Sequence, residues 1–509
     1  MAATGKSTAH ILIDTRRTLG DISPLLFGGF AEHLGRCIYE GIYDPMSPYA
    51  VGNGLRSDVR DALLDLGFTV MRYPGGNFVS GYDWRDGIGP QSRRPRRREL
   101  AWKSVETHQF GTDEFIRFCR AVKTEPMLGL NFGTADITQA AALVEYCNAP
   151  TGTQWGDLRA AHGHKAPHGV KYWCLGNEMD GPWQIGHLDA VAYGNKAREA
   201  AKLMKWTDPT VQTILCGSSG PFMGSYPDWD RTILELCWDQ TDFLSMHRYV
   251  GNQADDTDSY LAQTADFEDH VDTLAATLRY VKTKLRSKRD VFLSWDEWNV
   301  WYRAQNGDGQ WQAAPHLLEE VYNLEDALLA AVWMNVFLRK CAVLKIACLA
   351  QIVNVIAPIL TNADGLVRQT IFHPFMLYRR HAAGHALDLV VEAPRHTTKQ
   401  FGDVPLVDAS ASYDAAADRS ALFLVNRSRK TPVTVECAWQ DQAPRRVAAI
   451  HRLCGKDPKA ANTFAQPDRI TPVVLPGGAL KDGTLRLTLP PLSLSVVQGE
   501  RHGFRKGSY

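Results

Sequence analysis

The stretch Val170-Lys171-Tyr172-Trp173-Cys174-Leu175-Gly176 is a short apolar run that predicts a buried strand, and a helical stretch, Tyr193 to Trp206, follows it. The strand-then-helix pattern repeats on both sides, beginning with Leu26-Phe27-Gly28-Gly29, and gives about eight units in all. This alternation predicts a parallel sheet, and eight units predict a closed (β/α)₈ barrel with its active site at the C-terminal strand ends. The other predicted strands are Phe68 to Tyr73, Pro126 to Asn131, Thr213 to Gly217, Phe243 to His247, Val291 to Trp295 and Ile346 to Ala350.

The pattern changes after about residue 384. Apolar residues alternate at period two in Ser420 to Val425 and in Leu485 to Leu489, which predicts an antiparallel β-sandwich of the jelly-roll kind. We therefore assign residues 21–383 to the barrel and residues 384–509 to the sandwich. Because His10 to Asp14 precedes the first barrel unit, we expect segment 8–20 to add a strand to the sandwich.

Composition and charge exclude several classes of protein. The 509 residues carry 56 basic and 56 acidic side chains, so no overall field favours nucleic acid or an anionic membrane. No secretory leader and no apolar run of about 18 residues is recognisable in the sequence. The ten cysteines lack a framework spacing, which favours reduced thiols. We therefore expect a cytoplasmic protein without structural disulfides.

Polar side chains stand at the ends of predicted strands, where packing alone would not require them. Asn177-Glu178 follows Leu175-Gly176, Glu297 follows Trp295-Asp296, and His247 and Tyr249 follow a third strand. Two carboxylates facing each other across a barrel mouth are what glycoside hydrolysis needs, since one protonates the leaving oxygen and the other attacks the sugar or activates water. Nearby aromatic residues suit the apolar faces of sugar rings. The alternative is that these residues only make structural hydrogen bonds at the mouth.

Five strings, in order along nearly the whole chain, make the sequence resemble glycoside hydrolase family 51, the α-L-arabinofuranosidases. They are Phe30-Ala31-Glu32-His33-Leu34-Gly35-Arg36, Arg72-Tyr73-Pro74-Gly75-Gly76-Asn77-Phe78, Leu175-Gly176-Asn177-Glu178-Met179-Asp180-Gly181-Pro182-Trp183, Asp296-Glu297-Trp298-Asn299-Val300-Trp301-Tyr302 and Ala350-Gln351-Ile352-Val353-Asn354-Val355-Ile356.

The resemblance implies a barrel with a β-sandwich and a retaining, exo-acting enzyme. Such an enzyme removes terminal α-L-arabinofuranosyl groups from arabinan or arabinoxylan fragments, with Glu178 as general acid/base and Glu297 as nucleophile. It also implies a homo-oligomer, often a hexamer. The positions that match the family's sugar pocket are Glu32, Arg72, Asn77, Asn177, His247, Tyr249, Trp301 and Gln351.

The two glutamates also receive roles on physical grounds. Retention requires their carboxyl oxygens to lie about 5 to 5.5 Å apart. We expect Tyr249 to donate a hydrogen bond to Glu297 and Asn177 to donate one to a sugar hydroxyl. The negative charge of Glu297 should raise the pKa of Glu178 and keep that acid protonated for its first step.

Alternatives remain within and outside this family. An endo-glucanase or a β-xylosidase would share the barrel and the carboxylate pair, and a sugar-binding protein without activity would have lost one of the glutamates. The family pattern has Asn where this chain has His108, close to the predicted mouth, which leaves the preference beyond the terminal sugar open.

Two further stretches could bind ions. His162-Gly163-His164 with His168 resembles a metal cluster, but no acidic or cysteine residue accompanies it, so we interpret it as a solvated loop over the mouth and expect neither metal nor cofactor. The basic run Arg93 to Arg98 lacks interleaved aromatic residues, which favours a loop near the substrate entrance or at a subunit contact over a phosphate site.

Overall fold

The computed structural model describes residues 7–303, 309–478 and 480–501. Residue 479 and residues 502–509 of the range assigned to the sandwich lie outside the described residues. The chain begins with two strands, β1 (Ser7–Ile13) and β2 (Thr18–Asp21).

Eight parallel strands close into a barrel, which confirms the predicted fold, and all eight predicted strands are present. Around the barrel the order is β3, β4, β7, β8, β9, β10, β11 and β12, while two further pairs form hairpins, β5 with β6 and β13 with β14. The bounds of these strands are β3 (Gly28–Phe30), β4 (Val70–Tyr73), β5 (Arg97–Glu99), β6 (Ser104–Glu106), β7 (Glu125–Gly129), β8 (Tyr172–Leu175), β9 (Gln212–Leu215), β10 (Phe243–Val250), β11 (Phe292–Val300), β12 (Leu344–Ala350), β13 (Ile359–Asn362) and β14 (Gly365–Arg368).

Helices surround the barrel and bury one face against it. Asp189 shows why one of them starts where it does, because its side chain accepts hydrogen bonds from the backbone N–H groups of Val191 and Ala192. The helices are α1 (Ser57–Leu66), α2 (Thr112–Ala121), α3 (Ile137–Asn148), α4 (Gln154–Ala161), α5 (Ala190–Thr207), α6 (Asp228–Cys237), α7 (Thr257–Tyr260), α8 (Thr264–Lys284), α9 (Leu324–Arg339) and α10 (Phe372–His381). Helices α1, α4, α7 and α10 were not among the predicted elements. No helix in the described parts of the chain is both long and apolar enough to cross a lipid bilayer.

The C-terminal strands build two packed sheets. One has the order β2, β15, β19, β20, β25, β22, β23, and the other has the order β16, β1, β21, β24, while β17 and β18 form a hairpin. The bounds are β15 (His385–Leu387), β16 (Val390–Glu392), β17 (Arg395–Thr398), β18 (Gly402–Pro405), β19 (Val407–Asp414), β20 (Arg419–Asn426), β21 (Val433–Trp439), β22 (Arg446–Cys454), β23 (Val473–Pro476), β24 (Thr484–Leu489) and β25 (Ser493–Glu500).

The sandwich differs from the prediction in one respect, since it is mostly but not wholly antiparallel. Strand β1 pairs parallel with β21, which is possible because the two come from distant parts of the chain and no hairpin constrains their directions. The N-terminal segment contributes to both sheets, as β2 pairs with β15 and ends at Asp21, a residue that our assignment placed in the barrel.

The most apolar stretch of the sequence forms helix α9. Its residues are buried almost throughout, because one side packs on the barrel and the other on the sandwich. The buried amide of Asn335 donates to Asp408 on β19 at 2.6 Å, and Tyr378 of α10 donates to Asn335 at 2.7 Å. The helix therefore ties the two domains together. All ten cysteines lie among the described residues, and all ten are free thiols.

Candidate active site

A cavity of about 470 Å³ opens at the C-terminal ends of the barrel strands. The residues predicted for the site divide into two layers. Those that line the cavity are Glu32, Asn77, Glu178, Tyr249, Glu297, Trp301 and Gln351. The other three, Arg72, Asn177 and His247, are buried around its floor and contact residues of the catalytic pair or each other.

The backbone aims both glutamates into this space by irregular geometry. Glu178 stands three residues beyond the end of β8 with a φ of 44°, in the left-handed region that side chains other than glycine seldom adopt. We had expected Glu297 to end its strand, but β11 continues to Val300. The register of β11 shifts against β10 between Ser294 and Glu297 and against β12 between Trp295 and Trp298, so β11 contains one extra residue there. This bulge lets the neighbouring side chains of Asp296 and Glu297 both face the barrel interior.

The carboxylates of Glu178 and Glu297 lie close together. One oxygen of each and a ring nitrogen of His247 are all within 4.8 Å of one another. An approach this close is well below the range of about 6.5–9.5 Å that separates the carboxyl groups of inverting enzymes.

Glu297 is held as an anion that points up into the cavity. Arg72 Nη1 donates to its Oε1 at 2.6 Å, and the Tyr249 hydroxyl donates to its Oε2 at 2.8 Å, as predicted from the sequence. The other Arg72 amino group, Nη2, donates to the side-chain oxygen of Asn177 at 2.7 Å. Asn177 in turn donates to Gln184 at 3.3 Å, so its amide is engaged by protein in this structure. Its predicted bond to a sugar hydroxyl stays a prediction.

His247 bridges three carboxylates beneath the cavity. Its Nδ1 lies 3.0 Å from Glu178 and 3.6 Å from Glu297, and its Nε2 lies 3.3 Å from Asp296. Burial disfavours the imidazolium, but Glu297, Asp296 and Glu178 together raise the pKa of His247 to about 10. The ring is therefore a cation that donates to Glu178 at neutral pH.

Glu178 is set up differently from Glu297. Burial raises its pKa, the hydrogen bond from His247 opposes the shift, and the charge of Glu297 adds to it. The indole Nε1 of Trp183 donates to its Oε2 at 2.6 Å. Glu178, whose pKa is raised, is thus suited to be the acid, whereas Glu297, whose two oxygens both accept hydrogen bonds, is suited to be the anion.

Glu32 forms one wall of the cavity and is fixed by three donors. These are the backbone N–H of Phe78 at 3.0 Å, Trp102 Nε1 at 3.0 Å and Gln351 Nε2 at 3.1 Å. Burial nevertheless raises the pKa of Glu32 to about 8. The carboxyl fits only because residue 76 is glycine, since a Cβ there would come within 2.6 Å of Glu32 Oε2.

Comparison with known proteins places this geometry in a family. Residues 62–281 match the α-L-arabinofuranosidase 1 domain, and residues 296–493 match the α-L-arabinofuranosidase C-terminal domain. The chain is 42% identical to an intracellular exo-α-(1→5)-L-arabinofuranosidase of Halalkalibacterium halodurans over 96% of this chain and 99% of that protein. The chain belongs to the family 51 α-L-arabinofuranosidases.

Two relatives from Bifidobacterium longum extend the comparison. An exo-α-(1→6)-L-arabinofuranosidase is 39% identical over 96% of this chain and 97% of that protein. The solved structure of a family 51 α-L-arabinofuranosidase superposes with a TM-score of 0.93 at 37% identity, covering 97% of this chain and all of the other. Proteins of this family that are similar over their whole length thus carry names with different linkages.

Several residues of this family 51 site escaped the sequence analysis. Trp102 contacts Glu32 from the turn between β5 and β6, and no local signal pointed to it. Phe222, which is 62% exposed, tilts toward Trp183 with ring centroids 6.5 Å apart at the cavity edge. Asp296 could have been found, because two consecutive acids in an apolar strand are unusual.

The weaker sequence signals lie outside the cavity. His108 is buried, stacks on Tyr82 and contacts the carbonyl of Pro95 through Nδ1 at 2.6 Å. It is not among the described residues that line the cavity. Arg94, which belongs to the basic run, has a structural role, because its guanidinium donates two hydrogen bonds to Glu114. His168 is not solvated, contrary to our interpretation. It is buried and contacts Asp113, an acidic partner on helix α2, at 2.8 Å.

Proposed function

We propose that this protein is a retaining, exo-acting α-L-arabinofuranosidase in which Glu178 is the general acid/base and Glu297 the nucleophile. The observation that carries the proposal is the close approach of the two carboxylates at the floor of one cavity. Their partners differ in the sense that the chemistry requires, because an arginine and a tyrosine hold Glu297 while burial and a neighbouring anion raise the pKa of Glu178.

In the first step Glu297 attacks the anomeric carbon of the terminal sugar. The bond from that carbon to the leaving oxygen breaks, and Glu178 transfers its proton to that oxygen. The covalent bond neutralises Glu297 and removes the charge that opposed ionisation of Glu178. The acid then becomes a carboxylate, which His247 stabilises as a hydrogen-bond donor 3.0 Å away.

In the second step water attacks the same carbon from the side that the leaving group vacated. Glu178 takes the proton from that water, the ester bond to Glu297 breaks, and both residues return to their starting states. Two displacements at one carbon give net retention. The carboxylates supply every proton and covalent step, so we expect no metal requirement for hydrolysis.

The shape of the cavity supports removal of terminal sugars. A space of about 470 Å³ has room for a terminal furanose ring beside Glu32, Trp102 and Gln351 and for part of the next unit, for which Trp183 and Phe222 stand exposed at the edge. The natural substrates we propose are fragments of arabinan and arabinoxylan. The names of the relatives support (1→5)-linked arabinofuranosyl groups first, with (1→6) linkages as the alternative.

Product analysis tests the proposal. The enzyme should hydrolyse an aryl α-L-arabinofuranoside far faster than an aryl β-xyloside or a cellulosic polymer. Proton NMR in the first minutes should show α-arabinofuranose before mutarotation. Release of the β anomer, or preference for the xyloside or polymer, would contradict the proposal.

Location and assembly are also proposals. The Halalkalibacterium halodurans relative is named intracellular, which supports a cytoplasmic protein here. Exposed Val473 and Val474 on the edge strand β23 support a homo-oligomer, because apolar edge strands are normally covered. Light scattering of the purified protein decides between a monomer and an oligomer such as the hexamer implied by the resemblance.

A further inference from the structure

Three ligand-type side chains meet on the outer wall of the barrel. Asp113 is the second residue of α2, and His164 and His168 lie on the segment that joins α4 to β8. One donor atom of each lies within 4.8 Å of the other two. Asp113 and His168 are buried, while the side chain of His164 is 29% exposed and gives solvent access to the cluster. The described lining of the catalytic cavity includes none of the three.

We propose that Asp113, His164 and His168 bind one divalent transition-metal ion of the zinc type, with water as the fourth ligand. Two imidazoles and one carboxylate form a common zinc donor set, and an open position is typical of sites with three protein ligands. This site lies apart from the hydrolytic residues. Its ion would join α2 to the segment that leads into β8, the strand before Glu178.

The distances suit such an ion. Tetrahedral bonds of about 2.05 Å place neighbouring ligand atoms about 3.3 Å apart. The Asp113 Oδ1 atom is 2.8 Å from His168 Nε2 and 3.9 Å from His164 Nε2, values on either side of that spacing. A change of about half an ångström in each of these two distances would bring them to that spacing.

A second layer of contacts orients the carboxylate. The Tyr146 hydroxyl donates to the other Asp113 oxygen, Oδ2, at 2.7 Å, and it lies 3.1 Å from His162 Nδ1. Ligating groups in metal sites are usually fixed by such outer hydrogen bonds. This arrangement leaves Oδ1 for the ion and explains why His162, although adjacent in sequence, faces Tyr146 instead.

The competing explanation is a hydrogen bond from His168 to Asp113 that ties the segment to α2 without any ion. Zinc titration of the full-length, chelator-treated protein against a chromophoric chelator distinguishes the two. The variants are His164→Ala and Asp113→Asn, and His187→Ala is the matched control because that histidine is exposed and outside the cluster.

We expect one zinc ion per chain for the parent protein and the control, and at least a tenfold loss of affinity in both cluster variants. Cobalt should give the visible absorption of a four-coordinate ion only where zinc binds. Zinc should also raise the unfolding temperature of the parent protein but not of His164→Ala. Failure of the parent to bind zinc, or equal affinity in all four proteins, would overturn the proposal.

Discussion

Replacement of Glu178 by alanine separates the roles of the two glutamates by leaving group. A sugar hydroxyl is a poor leaving group and needs the proton, whereas dinitrophenolate leaves without one. The remaining carboxyls of the described cavity lining are Glu32 and Glu297. Glu32 is held by three donors on the opposite wall, and Glu297 is the nucleophile, so neither can replace the missing acid.

General acid catalysis contributes about 10²–10⁴ in rate, which at about 1.36 kcal/mol per factor of ten is roughly 2.7–5.5 kcal/mol. Because no substitute acid is available, we expect Glu178→Ala to lie in the upper half of that range, about 10³–10⁴, in kcat/KM for arabino-oligosaccharides. The first step should remain fast on a dinitrophenyl arabinofuranoside. Loss of the base then makes the second step limiting, and stopped-flow absorbance should show a burst of about one dinitrophenolate per active site.

Azide completes the experiment. It attacks the anomeric carbon without needing a base and displaces Glu297, so it should restore turnover of Glu178→Ala and give the α-arabinofuranosyl azide. Glu32→Gln is the control, because a cavity carboxyl outside the catalytic pair should give no azide rescue. Our assignment is wrong if azide rescues Glu297→Ala with the original configuration, or if it rescues neither variant.

Four further outcomes can be measured. Asp296→Asn removes one anion from His247, so the pKa of about 10 should fall, and NMR titration of that imidazole should show the change. Glu32 has its pKa raised to about 8, so its contribution to folding is present below about pH 4.5 and declines as the pH rises to 8; the unfolding free energy of Glu32→Gln should lack this decline in urea titrations. Trp183→Phe keeps an aromatic ring but loses the bond to Glu178, so it should lower kcat on oligosaccharides more than it raises KM. Exhaustive chelation should leave kcat on an aryl arabinofuranoside unchanged, and a proportionate loss would show that an ion takes part in the reaction.

The sequence was most informative where local pattern and tertiary role agree. Each barrel strand is an apolar run buried on both faces, so strand positions could be read directly from the chain. Helix α1 was missed although its buried residues Val59, Ala62, Leu63 and Leu66 recur at helical spacing, and α4 is a short insertion. The parallel pairing of β1 with β21 depends on a distant segment, which no local pattern encodes.

The active-site residues show the same difference between what a local pattern predicts and what depends on distant segments. Residues on strands or directly beyond them, such as Glu178 and Glu297, follow from the barrel rule that active sites lie at strand ends. Trp102 and Phe222 reach the cavity from long connections whose course depends on tertiary packing. Asp113 shows the same limit outside the cavity, because the acidic partner of His168 comes from a helix much earlier in the chain.

Because β11 contains one extra residue, catalysis depends on the length of this strand as well as on its residue types. Side chains on a regular strand alternate between its two faces, so Asp296 and Glu297 could not both point inward without it. Shortening the strand by one residue beside these acids, for example by deleting Trp295, would restore ordinary pairing with β10 and β12 and turn either Asp296 or Glu297 away from the barrel interior. Chimaeras that exchange this strand with that of another barrel should therefore keep its length first and its composition second. A strand with the correct residue types but one residue shorter would fold with a misdirected nucleophile.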